Sequence, residues 1–226
     1  MNRLFVKLRE AGRLDEIVFM GTLSFLCFAF WGARLAIFKS YAFYFLNWNL
    51  FLAFIPWALT TLLIAHPKAQ SNKLLVGAVI CVWLLFFPNA PYILTDFIHL
   101  RYRSVAPLWY NLTMILAFAW TGLLFGFLSL WDIERVLAAY MKRKFVTALS
   151  VMLLFVSAFG IYLGRYLRWN SWDVMKNPVP LVYDIGDRIA NPIEHQRTWG
   201  FTLSMGLFLC VLYFSFRLIA KRKTNS

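Results

Sequence analysis

Acidic residues are scarce in this 226-residue chain: Asp and Glu number 10 against 23 Lys and Arg, for a net charge of +13. Cysteine (3) and histidine (3) are rarer still. A metal centre needs three or four convergent ligands, and no HExxH or CxxC spacing supplies them, so no metal and no cofactor is expected. Cys27, Cys81 and Cys210 lie far apart inside apolar runs, which argues against a disulfide framework and reads as buried thiols packing as small hydrophobes. No Ser–His–Asp set, P-loop or Gly-rich phosphate cradle is visible. Long polar stretches are also missing, which leaves no soluble domain.

What the chain has in abundance is apolar length. Hydrophobic residues make up 61% of it, and the mean hydropathy is +0.64. A bilayer core about 30 Å thick needs roughly 20 helical residues, at ~1.5 Å each, to cross it. Runs at 17–38, 47–65, 74–94, 108–131, 145–167 and 199–219 meet that requirement. The expected fold is all-α: a polytopic transmembrane helix bundle of about six spans with short interfacial helices. Residues 1–16 form a cytoplasmic amphipathic segment, 17–219 a membrane domain with an outer loop at 168–198, and 220–226 a basic tail. Lys and Arg gather at the N-terminus, around Lys68 and Lys73, at Arg135 and Lys142 to Lys144, and in the tail. By the positive-inside rule both termini are cytoplasmic in a cell inner membrane. Basic ends facing anionic lipid account for the charge without nucleic acid.

Several local patterns refine this picture. Leu4, Phe5 and Leu8 share a helical face among basic residues, as in a helix lying on the inner surface. Ile133, Val136, Leu137, Tyr140 and Met141 continue the fourth span as an amphipathic helix. In the outer loop Val182, Ile185, Ile189 and Ile193 repeat at helical spacing, with Pro180 as a start, Asn191-Pro192 as a stop, and Asp184, Asp187 and Arg188 facing water. Gly122-x-x-x-Gly126 and Gly160-x-x-x-Gly164 each clear one helix face, for packing against a neighbouring helix or for a dimer seam.

Polar groups concentrate at the outer ends of spans two to five. Pro88 and Pro91 in Pro-Asn-Ala-Pro each remove a helical N–H, and push Phe87 and Ala90 away from helical geometry. The freed carbonyls either face a cavity or are sealed by Asn89 and a neighbouring helix. Arg165 and Arg168, three apart, share a helix face and suit a phosphate or carboxylate, or else snorkel to headgroups beside Trp169 and Trp172. Asn170 and Asp173 follow at once, and anchoring alone needs no acid. Asp96 and His99 stand one turn apart, where a carboxylate can orient an imidazole as a general base or simply form an ion pair or cap.

The strings Phe87-Pro88-Asn89-Ala90-Pro91-Tyr92, Thr95-Asp96-Phe97-Ile98-His99-Leu100, Phe118-Ala119-Trp120-Thr121-Gly122 and Gly164-Arg165-Tyr166-Leu167-Arg168-Trp169-Asn170-Ser171-Trp172-Asp173 resemble the hallmark stretches of a bacterial membrane family catalogued as domain of unknown function 1361. Asn49-Leu50-Phe51-Leu52-Ala53 and Trp199-Gly200-Phe201-Thr202 fit it too, so the resemblance covers about 43–214. It implies a multi-pass inner-membrane protein and carries no activity with it.

The function expected from the residues is binding or transport of an anionic or lipid-headgroup-bearing ligand at an outward-facing polar site. Arg165 and Arg168 would hold charge, while Asn49, Asn89, Asn111 and Asn170 orient the ligand, since intramembrane polar groups are costly unless partnered. One alternative is a membrane enzyme acting on a lipid or lipid-linked substrate at the outer interface, with Asp96, His99 and Asp173 as its catalytic groups. Another is a scaffold for membrane-protein partners or a homo-oligomer, joined through the glycine faces. The sequence shows little polar route through to the cytoplasm, which favours binding over passage.

Overall fold

A computed structural model of the chain describes residues 3–101 and 105–224, and the regular structure among them is entirely helical. Six helical stretches are long and apolar enough to cross a membrane: Leu14–Phe38, Phe45–Ile64, Lys73–Leu100, Leu108–Leu137, Arg143–Tyr166 and Gln196–Ala220. The all-α bundle of six spans is therefore the observed architecture. Contacts gather the chain into two compact units, Met1–Tyr140 and Met141–Ser226, where the sequence suggests one membrane domain over 17–219.

The first unit opens with α1 (Arg3–Glu10) and α2 (Leu14–Phe38). The amphipathic segment is thus shorter than 1–16, because Gly12 turns the chain with a left-handed φ of 66°. Arg13 N–H returns to the Leu8 carbonyl (2.9 Å) and Gly12 N–H to Arg9 (3.0 Å), the paired bonds that close a helix C-terminus around glycine. Asp15 and Glu16 in the first turn of α2 suit its positive dipole end. Next come α3 (Phe45–Ile64), α4 (Pro67–Gln70) and α5 (Lys73–Phe86), the last capped by Asn72, whose side chain accepts from Leu74 and Leu75 N–H.

At Pro88 the third span breaks into α6 (Asn89–Tyr92) and a 3₁₀ segment (Ile93–Arg101) before α7 (Leu108–Leu137) begins. Helix α7 is the hub. In its most apolar stretch 67% of residues are buried, against 11% for α2, so α2 sits at the periphery. Helix α3 lies along α7, whereas α2 meets α7 and barely touches α3. The glycine face of α7 serves the intramolecular reading. A Cβ on Gly122 would stand 2.9 Å from the Ala90 carbonyl oxygen, and one on Gly126 2.9 Å from Ala90 Cβ. Only glycine lets the broken segment lie this close to α7. The continuation of span four stops at Leu137, where turns replace the expected helix through Met141, although Ile133 and Val136 are buried as its pattern implies.

The second unit holds α8 (Arg143–Tyr166), α9 (Asp173–Lys176), α10 (Pro178–Ala190) and α11 (Gln196–Thr224). Helices α8 and α11 pack along each other, with the Phe155 ring pressed into the space above Gly206. Helix α10 starts at Pro178, two residues before the expected Pro180, and stops at the Asn191 cap as anticipated. Its apolar residues Val182 and Ile189 stay exposed, as does Ile193 in the turn beyond it. Arg188, expected to face water, is buried instead. Its Nη1 donates to the Asp184 carbonyl (2.7 Å), and Trp199 Nε1 donates to the Arg188 carbonyl (3.0 Å).

Candidate functional site

The end of the first unit where α2 finishes, α3 and α7 begin and the third span breaks carries the densest set of polar groups the sequence singled out. The break delivers Asp96 into full burial on the 3₁₀ segment. Asn49 of α3 donates from Nδ2 to Asp96 Oδ2 at 3.0 Å. His99 Nε2 stands 3.9 Å from the other oxygen, Oδ1, one turn further on. The His99 side chain is 30% exposed and that of Asp96 1%, so the carboxylate lies behind the imidazole and the imidazole meets the surroundings. The Phe45 ring packs on the imidazole with centroids 4.9 Å apart.

Beside this pair lies a residue of α2 that the sequence reading did not single out. Arg34 is fully buried. Its Nε donates to Asn111 Oδ1 (3.1 Å), its Nη1 donates to the Ser40 carbonyl (3.1 Å), and its guanidinium lies over the Phe43 ring, 5.1 Å from the centroid. Phe43 in turn contacts Phe45, so a run of tilted ring contacts connects Arg34 to His99. Asn111 Nδ2 donates to the Ala106 carbonyl (3.2 Å), which occupies both ends of that amide. The signal for Arg34 was available, because a lone arginine inside an apolar span is costly unless paired.

Asn89, expected to orient a ligand, donates from Nδ2 to the Phe86 carbonyl (2.9 Å) and seals the break in its own helix. The remaining singled-out residues belong to the second unit. Arg165 lies in the last turn of α8, half-buried. Arg168 does not share its helix face: α8 ends at Tyr166, and Arg168 takes a left-handed φ of 63° in the turn beyond, exposed. Trp169 N–H then closes back on the Leu163 carbonyl (3.2 Å). Asp173 Oδ2 accepts from the Asn170 backbone N–H (2.7 Å) and from Asn170 Nδ2 (3.2 Å), closing the turn that leads into α9. Nearby, Asn191 and then His195 donate to Asp187 and hold its carboxyl below the usual carboxylate range.

A second polar cluster, which the sequence reading missed, stands at the opposite ends of α2 and α7. Arg13 pairs with buried Asp132 and, at 2.6 Å, with Glu16 Oε2; Glu16 Oε1 accepts from Trp57 Nε1 at 2.6 Å. Between the two polar ends apolar side chains predominate, among them Leu50, Ala53, Phe87, Ile115 and Phe118, all at or below 2% exposure, and the buried Thr121 and Ser129 hydroxyls donate to carbonyls of their own helix. Of the three thiols only Cys27 is buried, against the Thr121 hydroxyl (3.4 Å), while Cys81 is exposed and Cys210 partly so. Among the described residues no group of three or more His, Cys, Asp or Glu is placed to hold a metal.

Six apolar spans and polar side chains gathered at helix ends define a multi-pass membrane protein. A family described as "Protein of unknown function (DUF1361)" matches residues 48–212, and the chain belongs to that family. No curated protein and no solved structure matches it.

Proposed function

We propose that the end of the first unit around His99 binds an anionic ligand, either a free phosphate-type anion or the headgroup of a lipid, on the outward side of the membrane. The observation that carries this reading is the buried Asp96 carboxylate, fixed by Asn49 and standing behind a partly exposed imidazole. A carboxylate in that position orients the imidazole, a ring able to donate an N–H hydrogen bond to an anion at its exposed edge. The apolar filling between the two polar ends supports binding over passage through this unit.

The test is a thermal-unfolding titration of the purified protein with inorganic phosphate and, separately, with phosphatidylglycerol bicelles. Ligand-dependent stabilisation is expected in the wild type, with the half-maximal concentration raised about tenfold, ~1.4 kcal/mol, in His99→Gln and in Asn49→Ala. A response to phosphate marks a free anion, and a response to the bicelles alone marks a headgroup. Full stabilisation retained in both variants would overturn the reading.

The enzyme alternative draws on the same observation, since a carboxylate-oriented histidine is a usable general base. Turnover of a lipid-linked substrate that disappears in both His99→Gln and Asp96→Asn would favour it over simple binding.

A further inference from the structure

Helix α2 leans away from α3, and the space between them is a groove of about 290 Å³. Ile17, Gly21 and Phe28 form its α2 wall, and Leu50, Phe54 and Trp57 its α3 wall, with Phe125 of α7 behind Trp57 at a ring distance of 5.3 Å. The lining offers no free polar group, for the one hydroxyl present, Ser24 Oγ, donates to the Met20 carbonyl (2.8 Å). The groove begins at Ile17, directly after Glu16 of the Arg13–Glu16–Asp132 cluster. From Ile17 to Phe28 its wall runs about 16 Å at ~1.5 Å per residue, roughly half of a hydrocarbon core about 30 Å thick. It therefore has the depth of one leaflet, with aromatic rings along its wall.

Positive charge precedes the groove in sequence. The turn at Gly12 joins α2 to α1, whose Lys7 and Arg9 are exposed while Phe5 offers an apolar side chain to the interface. Arg13 is already committed to Asp132 and Glu16, so these two side chains are the exposed cations nearest in sequence to the groove. We propose that the α2–α3 groove holds one acyl chain of an anionic phospholipid, with the lipid phosphate at Lys7 and Arg9 of α1. Apolar burial supplies the affinity and the α1 charges supply the headgroup preference. Bound in this way, the lipid fills the space that α2 and α3 leave between them.

Gly21 provides a test, because it lines the groove and a Cβ there meets nothing within 4 Å. The full chain in detergent is titrated with phosphatidylglycerol and with phosphatidylcholine, and bound lipid is counted by native mass spectrometry. Gly21→Phe is expected to weaken binding of both lipids at least about tenfold. The double variant Lys7→Gln, Arg9→Gln is expected to bind both lipids equally and so to lose the preference for phosphatidylglycerol. Unchanged binding in Gly21→Phe, or an undiminished preference in the double variant, would overturn the proposal. So would a wild-type mass of two chains that Gly21→Phe reduces to one, since the groove would then be a protein interface.

Discussion

Arg13 and Asp132 show most plainly what single residues do in this molecule. Each is nearly fully buried, and each is the other's charge partner across 119 positions of sequence. Burying a charge is costly, so the pair contributes little net stability, yet removing one partner strands the other. Arg13→Ala is therefore expected to lower unfolding stability by about 3–5 kcal/mol, and adding Asp132→Ala to recover part of that loss. Denaturant unfolding of the two variants in one detergent checks this, and strictly additive losses would show that the pair is uncoupled. Residues this far apart cannot be matched from one sequence, and the reading of the basic N-terminus as topology signal hid Arg13. By contrast, the Asp96–His99 pairing was legible because it is local: the i, i+3 spacing survives the change from α to 3₁₀ geometry. Its partner Asn49 was singled out for other reasons and proves to contact Asp96.

At the scale of elements, the broken third span and the glycine face of α7 are one device. Pro88 and Pro91 announced the break, and Gly122 and Gly126 announced a close approach, but nothing in the sequence joined them. The structure seats Ala90 on those two glycines, which fixes where the 3₁₀ segment starts and hence where Asp96 points. Gly126→Leu is expected to destabilise the protein by about 1–3 kcal/mol through overpacking against Ala90. It should also weaken phosphate-dependent stabilisation, because the segment carrying Asp96 must shift. Unfolding curves with and without phosphate check both expectations, and an unperturbed response would separate the glycine face from the site. The reading of Arg165 and Arg168 as one face failed for a reason confined to the helix end. It assumed α8 ran through Arg168, whereas the helix stops at Tyr166 and the chain turns through a left-handed residue. Helix ends are the least legible feature of a sequence when no glycine marks them.

For the molecule as a whole, apolar run length specified six membrane-crossing helices because a bilayer permits almost nothing else. Which ends carry function is a subtler matter. Both ends of the first unit hold buried ionic groups, yet only at one does a partly exposed histidine front a buried carboxylate. The sequence pointed to that end through its asparagines and prolines while overlooking Arg34 within it. The claim that ligand meets protein at His99 is tested most directly by imidazole NMR of the protein carrying labelled histidine, titrated with inorganic phosphate and with phosphatidylglycerol bicelles. The chain has three histidines, His66, His99 and His195, so each resonance can be assigned by single substitution. The account predicts that ligand shifts the His99 resonance while leaving His66 and His195 in place. A His99 resonance indifferent to both ligands, or equal shifts at all three histidines, would contradict it.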